Sequence, residues 1–146
     1  MNIDASAIAA NYHALRARVD VLGGPSVGIV AVTKTFPLEA VMAVRDAGCT
    51  RVGENYAQEL VAKLASTTDT GQASSHLPEV HFIGQLQSNK VRSLAPFVSV
   101  WQTVDRPSLV ESLATRAPGA TVMVQVGVTG EPGKGGCAPA DVESLL

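Results

Sequence analysis

A lysine closes the apolar segment GIVAVTKTFP: every residue from Val27 to Val32 is apolar or glycine, and Lys34 follows just after. Such a run predicts a strand buried on both faces, ending at Lys34, and Pro37 opens the amphipathic helix behind it. Side chains alternate along a strand, so Gly28, Val30, Val32 and Lys34 share one face. An ammonium group at the mouth of an apolar strand is costly to desolvate unless it is paired or neutral. Desolvation favours the neutral amine, which attacks aldehydes to form a Schiff base. The competing reading is a lysine that snorkels to solvent at a strand end.

Other polar residues stand at comparable places. Glu54 and Asn55 end a second, short strand, and Asn55 with Gln58 three positions on reads as a helix N-cap with a capping-box partner, or as an amide facing a ligand. His81 opens HFIG on a buried strand, where it is either a satisfied core histidine or a pocket contact. Gln85, Ser88 and Asn89 lie where that strand exits; Ser88 reads as a helix cap. The segment GVTGEPGKGG resembles a phosphate loop only in composition. Val128 stands five residues before Gly133, and Gly135 occupies the place of the Ser or Thr that would hold Mg²⁺, so a P-loop is excluded. Lys134 reads as a solvated loop lysine. His13, His76 and His81 have no metal-ligand spacing, and Cys49 and Cys137 form no CxxC, so two thiols in a reducing compartment are expected and no metal.

These residues need elements to position them. Ile8, Tyr12, Leu15 and Val19 recur at helical spacing, and Gly23-Gly24-Pro25 ends that first helix. Strand and helix then alternate. Leu38, Val41, Met42 and Val44 stripe the helix after Lys34, with Gly48 as its C-cap. A second strand, Thr50 to Gly53, leads to a helix carrying Tyr56, Leu60, Val61 and Leu64, and a polar loop from Ser66 to Pro78 follows. The third strand runs from Val80 to Gly84, with a short helix from Ser88 to Ala95. The fourth runs from Val98 to Val104, and Pro107 sits at the first position of its helix. The fifth spans Thr121 to Val128, and a last helix begins near Pro139. Tyr12 and Tyr56 fall on helix stripes, as packing residues. Repeated βα units imply a parallel sheet with right-handed crossovers. A closed barrel needs eight units and about 250 residues, so five units make an open sheet or an incomplete barrel.

With 146 residues, 46% apolar, and a formal charge of −2, the chain reads as a single folded domain without the basic patch that nucleic acid requires. No apolar stretch approaches the roughly 20 residues that span a bilayer. The segment after Met1 has no positive n-region, so no signal peptide is expected and a cytoplasmic location is.

The segments AVTKT, GENYAQEL and HFIGQLQSNK stand in order at the spacing of successive βα units, followed by GEPGKGG. In these motifs the chain resembles the pyridoxal phosphate homeostasis protein family over its whole length. The resemblance implies a TIM-like (β/α) barrel of the alanine racemase N-terminal-domain type, here incomplete, with residues 1–146 as one domain truncated at its C-terminal side. It implies pyridoxal 5′-phosphate (PLP) held as a Schiff base on Lys34, with Asn55 and His81 beside it, in a carrier without enzymatic turnover that serves intracellular PLP homeostasis. Apo PLP-dependent enzymes are the implied recipients. The family's Ser/Met-rich and RxG segments, which grip the phosphate, have no counterpart before Leu146, so weak retention of PLP and self-association through an open barrel edge are expected. The alternative is a fold-type III racemase-like enzyme, which adds a C-terminal domain with a catalytic tyrosine, or a truncated product that binds PLP weakly.

Overall fold

A computed structural model of the chain describes residues 2–68, 77–131 and 133–145, with the backbone alone over 66–68. Helix α1 (Ala5–Gly23) is capped by Asp4, whose carboxylate accepts from the Ala7 N–H at 2.9 Å. Five βα-type units follow. They comprise β1 (Ala31–Val32), α2 (Leu38–Asp46), β2 (Arg51–Glu54), α3 (Ala57–Thr68), β3 (Glu79–Phe82), a 3₁₀ turn (Ser88–Lys90) leading into α4 (Val91–Leu94), β4 (Val100–Val104), α5 (Pro107–Arg116) and β5 (Thr121–Val124). A second 3₁₀ turn (Pro139–Asp141) leads into α6 (Val142–Leu145). Gly48 ends α2 as expected. At φ 92° its N–H reaches Arg45 O at 2.8 Å, and the Cys49 N–H reaches Val44 O at 3.1 Å, the paired bonds of a Schellman cap.

The five strands are parallel and lie in the order β1-β2-β3-β4-β5. Every crossover therefore steps the same way, the winding of a barrel rather than of a doubly wound sheet, whose order reverses at a switch point. The core lies between sheet and helices. Val52, Val80, Phe82, Trp101 and Val104 meet Val41, Val44, Leu60, Leu64, Val91, Leu94, Leu109 and Leu113 there. Helix α1 lies outside this layer against α2 and buries no residue completely.

The first strand departs from expectation. Regular pairing covers only Ala31 and Val32, and Val27 and Val32 are 42% and 50% exposed. Pairing shows the cause. Among the described residues β1 has β2 on one side and no strand on the other, so the edge that a closed barrel would pair stays open. β5 is likewise shorter than its apolar run, and beyond it Val126 bridges to Cys137. Helix α3 continues to Thr68, so the polar loop begins later than expected; residues 69–76, with His76, lie outside the described residues. Ser88 opens its 3₁₀ turn instead of capping it, since Gln87 holds the cap position without a side-chain bond.

Candidate functional site

Strand exits β1 to β4 meet at one end of the sheet. Lys34 lies in the turn that follows β1, closed by the Phe36 N–H on Thr33 O at 3.2 Å. The lysine is half-buried, and its amine has no hydrogen-bond or ion-pair partner among the described residues. Thr35 beside it takes φ 65°, the only non-glycine with positive φ among the described residues. A β-branched residue in the left-handed region stores about 1–3 kcal/mol of strain and persists only where its surroundings over-determine it.

Those surroundings are charged. Glu54, at the end of β2 and 1% exposed, accepts from Thr33 Oγ1 at 2.7 Å and from Lys63 Nζ at 2.6 Å, both on Oε1. Lys63 also donates to Thr33 O at 3.0 Å and pairs with Glu59 at 3.0 Å. Glu59 Oε1 in turn accepts the strained Thr35 N–H at 2.6 Å. Both neighbours of Lys34 are thus tied to β2 and α3. Thr33 and Thr35 fall in AVTKT and Glu54 and Glu59 in GENYAQEL, but neither motif marks Lys63 or the pairing. The one sequence signal for the pairing is the i,i+4 spacing of Glu59 and Lys63 on a helix that must lie across the strand exits.

Asn55 is half-buried, and its Oδ1 is buried without a hydrogen-bond partner. It does not cap α3. The Leu60 N–H bonds to Tyr56 O, which places Tyr56 at the N-cap and Asn55 one residue before it. Tyr56, expected to pack, is 53% exposed and joins Asn55, Gln58, Phe82, Gln85 and Lys90 around a cavity of about 380 Å³. The β2 and β3 exits touch closely here: a Cβ on Gly84 would lie 1.9 Å from Asn55 O. The Ile83 N–H donates to Glu54 O at 2.9 Å, and Thr103 Oγ1 of β4 donates to Gly84 O at 2.6 Å.

His81 lies in register with Gly53 and next to Val32 across β2, on the face away from the helices. Its Nε2 is 2.7 Å from Glu79 Oε1 and its Nδ1 is 2.7 Å from Gln102 Nε2. A carboxylate only accepts, so Nε2 carries the proton it shares with Glu79. Both ring nitrogens are therefore committed to neighbours on the sheet. The hydrogen bond from His81 holds the Glu79 carboxyl below its ordinary value; burial opposes this, and positive charge on His81 and Arg51 adds to it.

The Gly-rich loop after β5 surrounds a separate cavity of about 560 Å³. Its backbone is turned toward an acid, with Gly136 N–H donating to Asp105 Oδ2 at 3.1 Å, the reverse of a phosphate cradle. Lys134 is 66% exposed and paired with Glu131 at 2.7 Å, the solvated lysine expected. Cys49 and Cys137 are free buried thiols. Among the described residues, no helix is long and apolar enough to cross a membrane.

Residues 3–146 match the family described as alanine racemase, N-terminal domain. The chain belongs to that family. Within the alanine racemase N-terminal domain family, it is 40% identical over 125 residues to the pyridoxal phosphate homeostasis protein of Pseudomonas aeruginosa, covering 82% of this chain and 51% of that relative. The protein of the same name from Escherichia coli K12 is 35% identical over 121 residues, covering 80% and 50%. The chain thus spans about half the length of the curated relatives it matches. Among solved structures, PipY of Synechococcus elongatus with PLP bound superposes with a TM-score of 0.78 at 31% identity, over 94% of this chain and 61% of that one. A protein of unknown function from Bifidobacterium adolescentis gives 0.76 at 32%, over 99% and 65%. The family and the parallel order β1 to β5 agree with the TIM-like barrel that the resemblance implied, incomplete in this chain.

Proposed function

We propose that this chain binds pyridoxal 5′-phosphate, holds it covalently on Lys34, and belongs to a protein of intracellular PLP homeostasis. The observation that carries this reading is an amine without a partner, half-buried in a strained and braced turn at the carboxyl end of a barrel strand, in a chain whose solved neighbour PipY has been seen with PLP. The residues present fit part of such a ligand. Lys34 offers the nucleophile, and the orphaned Oδ1 of Asn55 offers a buried acceptor close to the strand exits. Bound there, PLP would supply an electrophilic aldehyde on an electron-withdrawing ring. His81, with both nitrogens engaged, would act by shape and stiffness at the sheet rather than by hydrogen bonding. The Gly-rich loop is disfavoured as the phosphate site, because its Gly136 N–H is already given to Asp105.

A carrier rather than an enzyme is the reading favoured. Carbanion chemistry needs a positioned acid or base as well as the cofactor. Tyr12 donates to Gly48 O on the helix layer, and His81 is committed within the sheet. The relatives carry the name of homeostasis proteins, which supports the same view. Apo PLP-dependent enzymes are the recipients this role requires. Borohydride reduction after incubation with PLP, followed by peptide mapping, is expected to place the pyridoxyl label on Lys34. A label on Lys134, or amino-acid turnover that disappears in Lys34→Ala, would overturn the assignment of site or of role respectively.

A further inference from the structure

We propose that Glu59 is a positioning residue for Lys34, acting through the Thr35 amide as the outer arm of a clasp whose inner arm is the buried Glu54–Lys63 pair. This rests on the reading of Lys34 as the covalent anchor. The amine has no side-chain partner among the described residues, so the backbone of the Thr33–Phe36 turn, which fixes the direction in which the Lys34 side chain leaves the chain, is what the protein can use to aim it. Besides the ladder bond from Thr33 N–H to Gly53 O at 3.0 Å and the turn's own bond, every polar tie on that turn runs to the same three charged side chains. Thr33 gives its hydroxyl to Glu54, and its carbonyl accepts from Lys63 as well as from the turn's own Phe36 N–H. Thr35 gives its N–H to Glu59.

The two arms differ in burial, and burial separates their roles. Lys63 and Glu54 are 4% and 1% exposed at the side chain, and Glu54 without Lys63 would be a buried carboxylate with no opposite charge, so that pair is needed for folding. The Glu59 side chain is 29% exposed and Lys63 keeps Glu54 without it, so removing Glu59 leaves the fold intact. What its removal does change is the bond on the one strained residue of the turn. Without that acceptor Thr35 relaxes toward negative φ, and Lys34, its neighbour, turns with it.

The test compares the parent chain with Glu59→Ala, Glu59→Gln and Thr35→Gly/Glu59→Ala, all checked by melting temperature. Two quantities are read: hydrogen exchange of the Thr35 amide, and the rate at which PLP is trapped on Lys34 by borohydride. Glu59→Ala is expected to lose amide protection and to trap PLP about tenfold more slowly, the scale of the strain released. Glu59→Gln keeps an acceptor oxygen and should stay close to the parent. Glycine takes positive φ without strain, so Thr35→Gly should restore trapping in the Glu59→Ala background. Parental trapping in Glu59→Ala, or failure of the glycine to rescue it, overturns the proposal. If the parent carries no label on Lys34 at all, the functional reading falls by itself. The clasp is then judged by exchange, and a freely exchanging Thr35 amide in the parent would refute it.

Discussion

Glu79 and His81 lie two residues apart on one face of β3, and the bond between them gives the Glu79 carboxyl a pH-dependent part in stability. The Glu79 carboxyl is held below its ordinary value chiefly by the hydrogen bond from His81. A depressed carboxyl contributes stability that is present above its unfolded value, ordinarily 4.5, and is lost as pH falls through the folded value. Glu79→Gln should therefore be less stable than the parent near neutral pH, with the gap closing as the solution is taken well below 4.5. Denaturant titrations at several pH values check this; a gap that stays constant into acid would contradict it. At this scale the sequence was informative about Lys34, because an apolar run marks its own end. It placed Glu54 at a strand exit and Glu59 within GENYAQEL, but was silent about Lys63 and about how the three pair. Their pairing depends on how α3 lies across β1 and β2, and charges nine residues apart, as Glu54 and Lys63 are, carry no periodic signal.

Between elements, the close fit of the β2 and β3 exits makes Gly84 the most exacting position. An added Cβ would sit 1.9 Å from the carbonyl oxygen of Asn55, and the carbonyl of Gly84 is itself held by Thr103. The clash is with backbone, so no side-chain rotation relieves it. Gly84→Ala is expected to cost about 3 kcal/mol and to disturb Asn55 first. Equilibrium unfolding measures the loss, and a variant within a few tenths of a kcal/mol of the parent would show that the exits are free to separate. Helix positions and the parallel βα alternation were readable from stripes and turn residues; Pro107 and Gly48 fall where their chemistry placed them. The edge strands were not. An apolar run such as Val27 to Val32 reports what a strand would bury if it had neighbours, while its actual length depends on whether a neighbour is there. The Asn55 cap failed for a related reason. Asn55 is drawn into contact with Gly84, and the helix starts one residue after the position its capping chemistry suggested.

For the whole molecule, the decisive feature is the contrast between inner and outer strands. β2, β3 and β4 are buried along most of their length, whereas three of the four residues of β5 are exposed and Val32 of β1 is half so. Parallel sheets are ordinarily covered on both faces, and a parallel edge presents unpaired amides and carbonyls to any strand that approaches. Here the exposed apolar residues fall along both edges: Val27, Val32 and Phe36 beside β1, and Val122, Met123 and Val128 on and beyond β5. Leu15, Val21 and Leu22 add an apolar strip on α1. The 15.1 kDa chain by itself is therefore expected to self-associate at micromolar concentrations. Replacing Val32 and Met123 with lysine should shift it toward monomer, because a charge on an edge strand resists docking of another strand. Sedimentation velocity over a concentration series distinguishes the outcomes. A parent that sediments as a monomer at tens of micromolar and unfolds cooperatively would mean that these edges are adequately protected, and that the open side of the sheet is a stable surface in its own right.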